Sequence, residues 1–298
     1  MNLTIKLRPK TLEEIVGQEH IKKILFKMGF PDKSIKNLYV ISGQSGIGKT
    51  TLARVMSNML NGNLIELDGA TQGGVDDIKQ LQDIVSRRPP IGYESTCIII
   101  DECHNILKRA SESLLKLLEE LPSYVYVFMC TTSPQEILGT IKTRAFPLQL
   151  EPVGSQEMFN YLEIVRVDEE LSIPYDMLSE VVEYSKGSVR DGLNLLMQYE
   201  LEGILKVPNK DILNNIEVAL KNIDRDTVER NIKILLSEGF TAKMIIKELV
   251  LLCYSKKHFK QSSILIDIML TLSTISIYPE ELLIPIIKKK LDEEYQSY

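Results

Sequence analysis

The 298-residue chain has no tryptophan, three histidines and four cysteines, and aromatic residues make up 6% of it. Cys97, Cys103, Cys130 and Cys253 form no C-x-x-C pair, so they suit a reduced compartment better than a disulfide frame. No stretch approaches the ~18 consecutive apolar residues of a membrane span. The apolar runs at residues 97–100 and 124–130 are strand-sized. The opening Met1-Asn2-Leu3-Thr4-Ile5-Lys6 lacks the apolar core of a signal peptide, which points to a cytoplasmic protein without a membrane partner. Repeats and low-complexity segments are also missing. With 44% apolar and 26% charged residues, the composition is that of a globular chain rather than a collagen, a disordered tail or a coiled-coil fibre. At about 150 residues per domain, the length suggests two or three domains. The net charge of −6 argues against nucleic acid when taken whole. It is unevenly spread, however: residues 1–150 carry 18 Lys and Arg against 16 Asp and Glu, whereas residues 151–298 carry 17 against 25. A local basic stripe in the first half therefore remains compatible with the total.

Through residue 150, strand-like and helix-like segments alternate. Strands are expected at 38–42, 63–67, 96–100, 124–130 and 146–150, with helices at 50–60, 76–88 and 111–121. Continuous apolar strands separated by helices require a parallel sheet covered on both faces. After Pro152 only helical spacing is found. Helices are expected at 155–165, 174–184 and 189–200 and, past a polar boundary at Pro208-Asn209-Lys210-Asp211, at 212–220, 227–238, 241–254, 261–274 and 279–295. The expected domains are an α/β domain at 1–152, a three-helix domain at 153–206 and an all-helical domain at 207–298.

Gly43-Gln44-Ser45-Gly46-Ile47-Gly48-Lys49-Thr50 matches G-x-x-x-x-G-K-[ST] between an expected strand and an expected helix, with Thr51 following. Glycines in such a loop let backbone N–H groups turn inward on phosphate oxygens, and the helix N-terminus adds positive potential. Lys49 would reach the β- and γ-phosphates, and the Thr50 hydroxyl would ligate Mg²⁺. Residues 97–102, Cys-Ile-Ile-Ile-Asp-Glu, form an apolar strand ending in two acids. Asp101 would hold Mg²⁺ through water and Glu102 would polarise the attacking water. Cys103 and His104 lack partners at ligand spacing and read as packing or local hydrogen-bonding residues. The run 101–104 also spells a DExH box, but a two-domain helicase needs a second α/β domain, and residues 151–298 offer helices only.

These motifs resemble those of the AAA+ clamp-loader ATPases, closest to the bacterial DNA polymerase III gamma/tau subunit and its phage and eukaryotic small-subunit relatives. Lys6-Leu7-Arg8-Pro9 and Ile15-Val16-Gly17-Gln18-Glu19-His20 resemble the family's adenine-bordering segment. The resemblance implies that Arg8, Pro9, Val16 and Gly17 line the base site, with Leu7 replacing an aromatic residue. It implies that Thr132 is the first sensor and that Arg190, in Gly187-Ser188-Val189-Arg190-Asp191, is the second, reaching the γ-phosphate in cis. Arg144, in Thr143-Arg144-Ala145, would be the finger that enters a neighbouring subunit's ATP site. The family's four-cysteine zinc module is missing, since Leu60-Asn61-Gly62-Asn63 runs straight through, so ATP and Mg²⁺ are expected without zinc. The implied fold is an AAA+ α/β domain, a helical lid and a helical collar. The implied partners are other subunits in a five-membered ring, a sliding clamp, and primer–template DNA. Lys79, Arg109 and Lys116 occupy positions that are basic in relatives, near the starts of two DNA-facing helices, and Gly73-Gly74 could offer backbone donors. No aromatic residue interleaves them, so contact to the phosphate backbone without sequence preference is expected.

The implied function is ATP-driven clamp loading. A non-hydrolysing stator of the same assembly is the first alternative, although it would be expected to have lost some of Lys49, Thr50, Asp101 and Glu102. Another AAA+ DNA machine, a branch-migration motor or helicase loader, is the second; a motor needs an added winged helix, and no strand pair near the C-terminus supplies one.

Overall fold

Alternation along the apolar runs decides how the central sheet is covered. In the computed structural model, which describes residues 2–31, 36–72, 74–203, 205, 210–222, 224–238, 240–258, 265 and 283–290, the strands are β1 (Leu38–Ser42), β2 (Gly62–Asp68), β3 (Ser95–Asp101), β4 (Val125–Thr131) and β5 (Phe146–Gln149). All neighbours are parallel, in the order β2-β3-β4-β1-β5. Successive side chains point to opposite faces. Val40, Ile98, Ile100, Val127 and Met129 therefore enter one core, while Tyr39, Ile41, Ile99, Phe128 and Cys130 enter the other. Fully burying one such Ile or Val contributes about 1.5–3 kcal/mol, so the central strands β1, β3 and β4, buried on both faces, are mostly apolar, whereas the edge strand β2 carries Asn63, Glu66 and Asp68.

The helices that supply those two cores are α2 (Glu19–Lys27) and α3 (Lys49–Met59) on one face, and α4 (Val75–Val85), α5 (Cys103–Glu119) and α6 (Gly139–Arg144) on the other. The short α1 (Leu3–Lys6) instead buries Leu3 against α7 (Ser155–Asp168), α8 (Leu178–Ser185) and α9 (Val189–Glu202), around Met158, Leu162, Val181 and Leu196.

Most boundaries fall within three residues of the sequence expectation, and three differences have a clear physical reason. The helix expected from residue 111 begins at Cys103, because Cys103 and Ile106 extend the buried stripe of Leu114, Leu117 and Leu118. The helix expected to reach residue 88 stops at Val85, ahead of Pro89, whose ring disfavours helical geometry in the residue before it. The segment expected as one helix from residue 174 opens as a 3₁₀ turn, Tyr175–Met177. Helices α1, α2 and α6 had no sequence expectation; α6 is six residues long and buries only Ile141.

The chain divides into two compact units, Met1–Leu205 and Lys206–Tyr298. The second contains α10 (Lys210–Lys221), α11 (Arg225–Ser237), α12 (Ala242–Ser255) and a helical stretch at 283–290, packed around Ile216, Ile232, Leu235, Ile245 and Leu249. Of the two final expected helices, only Leu265 and 283–290 lie within the described residues, and both are helical. Among the described residues no helix is long and apolar enough to cross a membrane.

Candidate nucleotide-binding site

Because β4 lies between β1 and β3, the carboxyl ends of all three strands open on one crevice, where parallel α/β sheets bind ligands. The loop after β1 turns through left-handed conformations at Gly46 (φ 77°) and Gly48 (φ 105°) before α3 begins. Gly46 is also crowded, since a Cβ there would meet the Ser188 Oγ and come within 3.3 Å of the Arg190 Cβ. Lys49 is 6% exposed, and its Nζ donates to the carbonyls of Gly43 (3.0 Å) and Gln44 (2.8 Å). Burial pushes its pKa down, opposed by the negative charges of Glu102 and Asp101. An incoming phosphate would supply the counter-charge that the two carbonyls lack.

At the end of β3, the Thr50 hydroxyl donates to Asp101 Oδ2 at 2.8 Å, and the Glu102 N–H donates to Asp101 Oδ1 at 3.0 Å. A hydroxyl and a carboxylate held together beside a phosphate loop form an oxygen donor set that suits a hard divalent cation. Glu102 takes a left-handed backbone (φ 43°), and its Oε2 accepts from the Thr132 hydroxyl at 3.1 Å. Ser45, Gly46, Gly48, Lys49, Thr50, Thr51, Asp101, Glu102, Arg8 and Arg190 line a single polar cavity.

A second, less polar cavity adjoins it. Its walls include Leu7, Arg8, Pro9, Ile15 and Val16 from the N-terminal segment, Gly46 and Ile47 from the loop, and Tyr161, Val189, Arg190 and Leu193 from the helices after the sheet. The N-terminal segment is tied down by Gln18, whose side-chain amide donates to the Glu151 carbonyl (2.6 Å) and accepts from the Glu151 N–H (3.1 Å). Gly17, in left-handed geometry, packs near Val153 and Glu157 rather than lining the cavity. The Arg190 N–H donates to the Gly46 carbonyl at 3.3 Å, so α9 begins on the phosphate loop itself.

Other expected site residues lie elsewhere. Arg144 ends α6, is about half exposed and donates to Glu119 Oε1 at 2.8 Å; it lines neither cavity. Lys79 is exposed and pairs with Asp76, and Lys116 is exposed near the end of α5. Arg109 lies in the second turn of α5 rather than at its start, because that helix begins at Cys103. The Gly74 N–H considered as a phosphate donor already donates to Asp77 Oδ2 at 2.9 Å, and Gly73 lies outside the described residues. Cys103 and Cys130 are buried behind the acids; burial, then the acids' charge, pushes Cys103 up to about 12 and Cys130 well above the usual thiol range.

The sequence reading did not name Ile15, Tyr161, Val189 or Leu193 as cavity residues; Ile15 and Val189 lie within its quoted motifs, whereas Tyr161 and Leu193 lie outside every motif. It gave Thr131 no role; His104, read as a packing or local hydrogen-bonding residue, meets the Thr131 hydroxyl at 3.2 Å.

Comparison with known proteins places this geometry. Residues 63–154 match the family described as DNA polymerase III, delta subunit. The chain is 31% identical over 248 residues to DNA polymerase III subunit tau/gamma of Haemophilus influenzae, covering 75% of this chain and 36% of that protein. It is 29% identical over 256 residues to the gamma/tau subunit of Mycoplasma genitalium (78% and 42%), and 30% identical over 220 residues to the tau subunit of Escherichia coli (66% and 34%). The chain thus spans less than half the length of these relatives. In fold it is similar to the Thermotoga maritima RuvB Holliday junction branch migration motor, with a TM-score of 0.56 at 21% identity over 82% of this chain and 79% of that one. Over about three-quarters of its length, the chain is similar to gamma/tau subunits of DNA polymerase III, and its fold is similar to that of RuvB.

Proposed function

We propose that the chain is an ATP-hydrolysing clamp-loader subunit that opens a sliding clamp and loads it on primer–template DNA. The observation that carries this reading is the polar cavity in which Lys49, Thr50, Asp101, Glu102 and Arg190 converge. In this reading, residues 1–152 form the ATPase domain, 153–206 the lid and 207–298 the collar of a five-membered ring. The backbone of residues 43–48 cradles the phosphates, Lys49 and Arg190 neutralise them, and Arg8, Pro9 and Val16 border the base. Thr50 and Asp101 hold Mg²⁺, which when bound shields phosphate charge and orients the oxygens. Glu102 accepts a proton from the attacking water, Thr132 orients Glu102, and Arg144 stabilises charge in a neighbour's site. Zinc has no part in it. Lys79, Arg109 and Lys116 meet DNA through its phosphates.

A stator reading draws support from the match of residues 63–154 to the delta-subunit family. The retention of both acids, the lysine and the threonine favours hydrolysis instead. The RuvB likeness concerns the fold alone.

The test joins assembly to chemistry. Arg144 is remote from its own phosphate loop, so Arg144→Ala is expected to keep ATP affinity and lose hydrolysis stimulated by clamp and DNA. A trans arginine contributes about 10³–10⁵ in rate to nucleotide hydrolysis where chemistry is limiting. Mixing Arg144→Ala with Glu102→Gln chains should restore partial activity, because some interfaces then join an intact Glu102 to an intact Arg144. A mixture that exchanges subunits and stays inactive overturns the ring reading.

A further inference from the structure

The nucleotide reading leaves His104 without a task, although its side chain is only 14% exposed and stands in the first turn of α5. Its Nδ1 lies 3.2 Å from Thr131 Oγ1 and 3.4 Å from Glu102 Oε2. Thr131 is fully buried, and its hydroxyl oxygen accepts from the Ser133 N–H at 2.9 Å, which fixes it in place. Glu102 Oε2 is the same oxygen that accepts from Thr132. Among the described residues Oε1 has no hydrogen-bond partner, and Glu102 lines the phosphate cavity.

Charge decides which ring nitrogen carries the proton. A bare Nδ1 would point a lone pair at a carboxylate oxygen, whereas a protonated Nδ1 is attracted to it and can also donate to Thr131. The imidazole is set by a helix start and a buried threonine, while the glutamate side chain is longer and 33% exposed. The rigid partner therefore positions the mobile one. We infer that His104 is a positioning residue for Glu102: with Thr132 it holds Oε2 and leaves Oε1 for the attacking water. This rests on the reading of Glu102 as the water-activating group.

Two measurements on the full chain test it. The sequence contains three histidines, so ¹⁵N-detected imidazole spectra are tractable, and loss of one set in His104→Asn assigns its signals. A proton on Nδ1 is expected, and a ring protonated at Nε2 alone overturns the inference. In hydrolysis assays, His104→Leu is expected to lower turnover about 10-fold while ATP affinity stays within about two-fold, the mark of misplacement rather than lost binding. His104→Asn, whose amide nitrogen can take the place of Nδ1, should recover most of the loss. In a Glu102→Gln background, His104→Leu should add nothing. Additive losses, or an Asn variant as slow as Leu, would indicate a structural role and overturn the inference. If Glu102→Gln slows hydrolysis and His104→Leu does not, this inference alone fails. If Glu102→Gln leaves hydrolysis intact, the reading beneath it fails too.

Discussion

Each of the two units holds a carboxylate in contact with a histidine, and the two pairs are built for different ends. In the second unit, Glu217 of α10 is 1% exposed, with His258 on Oε1 and Lys256 on Oε2 at 3.2 Å. Lys256 also donates to Asn214 at 2.9 Å. Both oxygens are consumed, so the group staples α10 to the chain after α12 and has no capacity left for a ligand. In the first unit, Glu102 is partly exposed, has one oxygen engaged and faces a cavity lined by Lys49 and Thr50. A saturated buried carboxylate serves the fold, and an unsaturated one at a cavity is available to chemistry.

The largest expected effect separates the roles within the first unit. Lys49→Ala should abolish nucleotide binding in a fluorescent-nucleotide titration. Glu102→Gln should bind normally and hydrolyse about 100-fold more slowly or worse, the usual scale for a lost general base. Equal loss of binding in both variants would erase the distinction between the two roles.

Next in size is the staple. Glu217→Ala should leave nucleotide affinity unchanged and cost about 2 kcal/mol, read as a lowered urea midpoint, since charge-assisted hydrogen bonds are removed from a buried site. Any parallel change in hydrolysis would show that the two carboxylates are not independent.

Alkali should distinguish the units as well. Burial raises Cys97, Cys103 (to about 12), Cys130 and Tyr161 (to about 12) in the first unit, and Cys253 (to about 11) in the second. A group held neutral by the fold favours the native state below its unfolded pKa, and that preference is lost as pH rises through the folded value. Above about pH 9, where free thiols ionise, the first unit should lose stability more steeply than the second. Circular dichroism with urea at pH 8 and pH 10.5 would check this, and equal slopes in both units would contradict it.

The smallest effect concerns DNA. Neutralising Lys79, Arg109 and Lys116 together should weaken binding without changing sequence preference. It should also flatten the slope of log K against log salt by about 0.9 for each phosphate that no longer meets a cation. An unchanged slope would make them ordinary surface charges.

Much of the site was legible along the chain, because its signals are local. The phosphate loop and the strand ending in Asp101-Glu102 are contiguous, and each lies next to the element that aims it. The five apolar runs foretold a parallel sheet covered on both faces, and helical spacing after Pro152 foretold the bundles. Elements with few apolar residues, such as α6, were silent, and Cys103 hid the first turns of α5 because a cysteine does not announce an apolar stripe.

What the residue order could not express is who meets whom across the fold. The insertion of β4 between β1 and β3 brings Thr131 and Thr132 between the phosphate loop and the acids. Gly46 takes a left-handed backbone and lies against Ser188, 142 positions later, and the Arg190 N–H donates to its carbonyl. Glu102 and Thr132 are 30 positions apart in sequence and 3.1 Å apart in space. Local propensity and periodicity act over a few residues, whereas strand order and close packing are settled by burial of the whole core. For that reason the motifs of the candidate site could be named from the sequence, and their mutual contacts had to be seen.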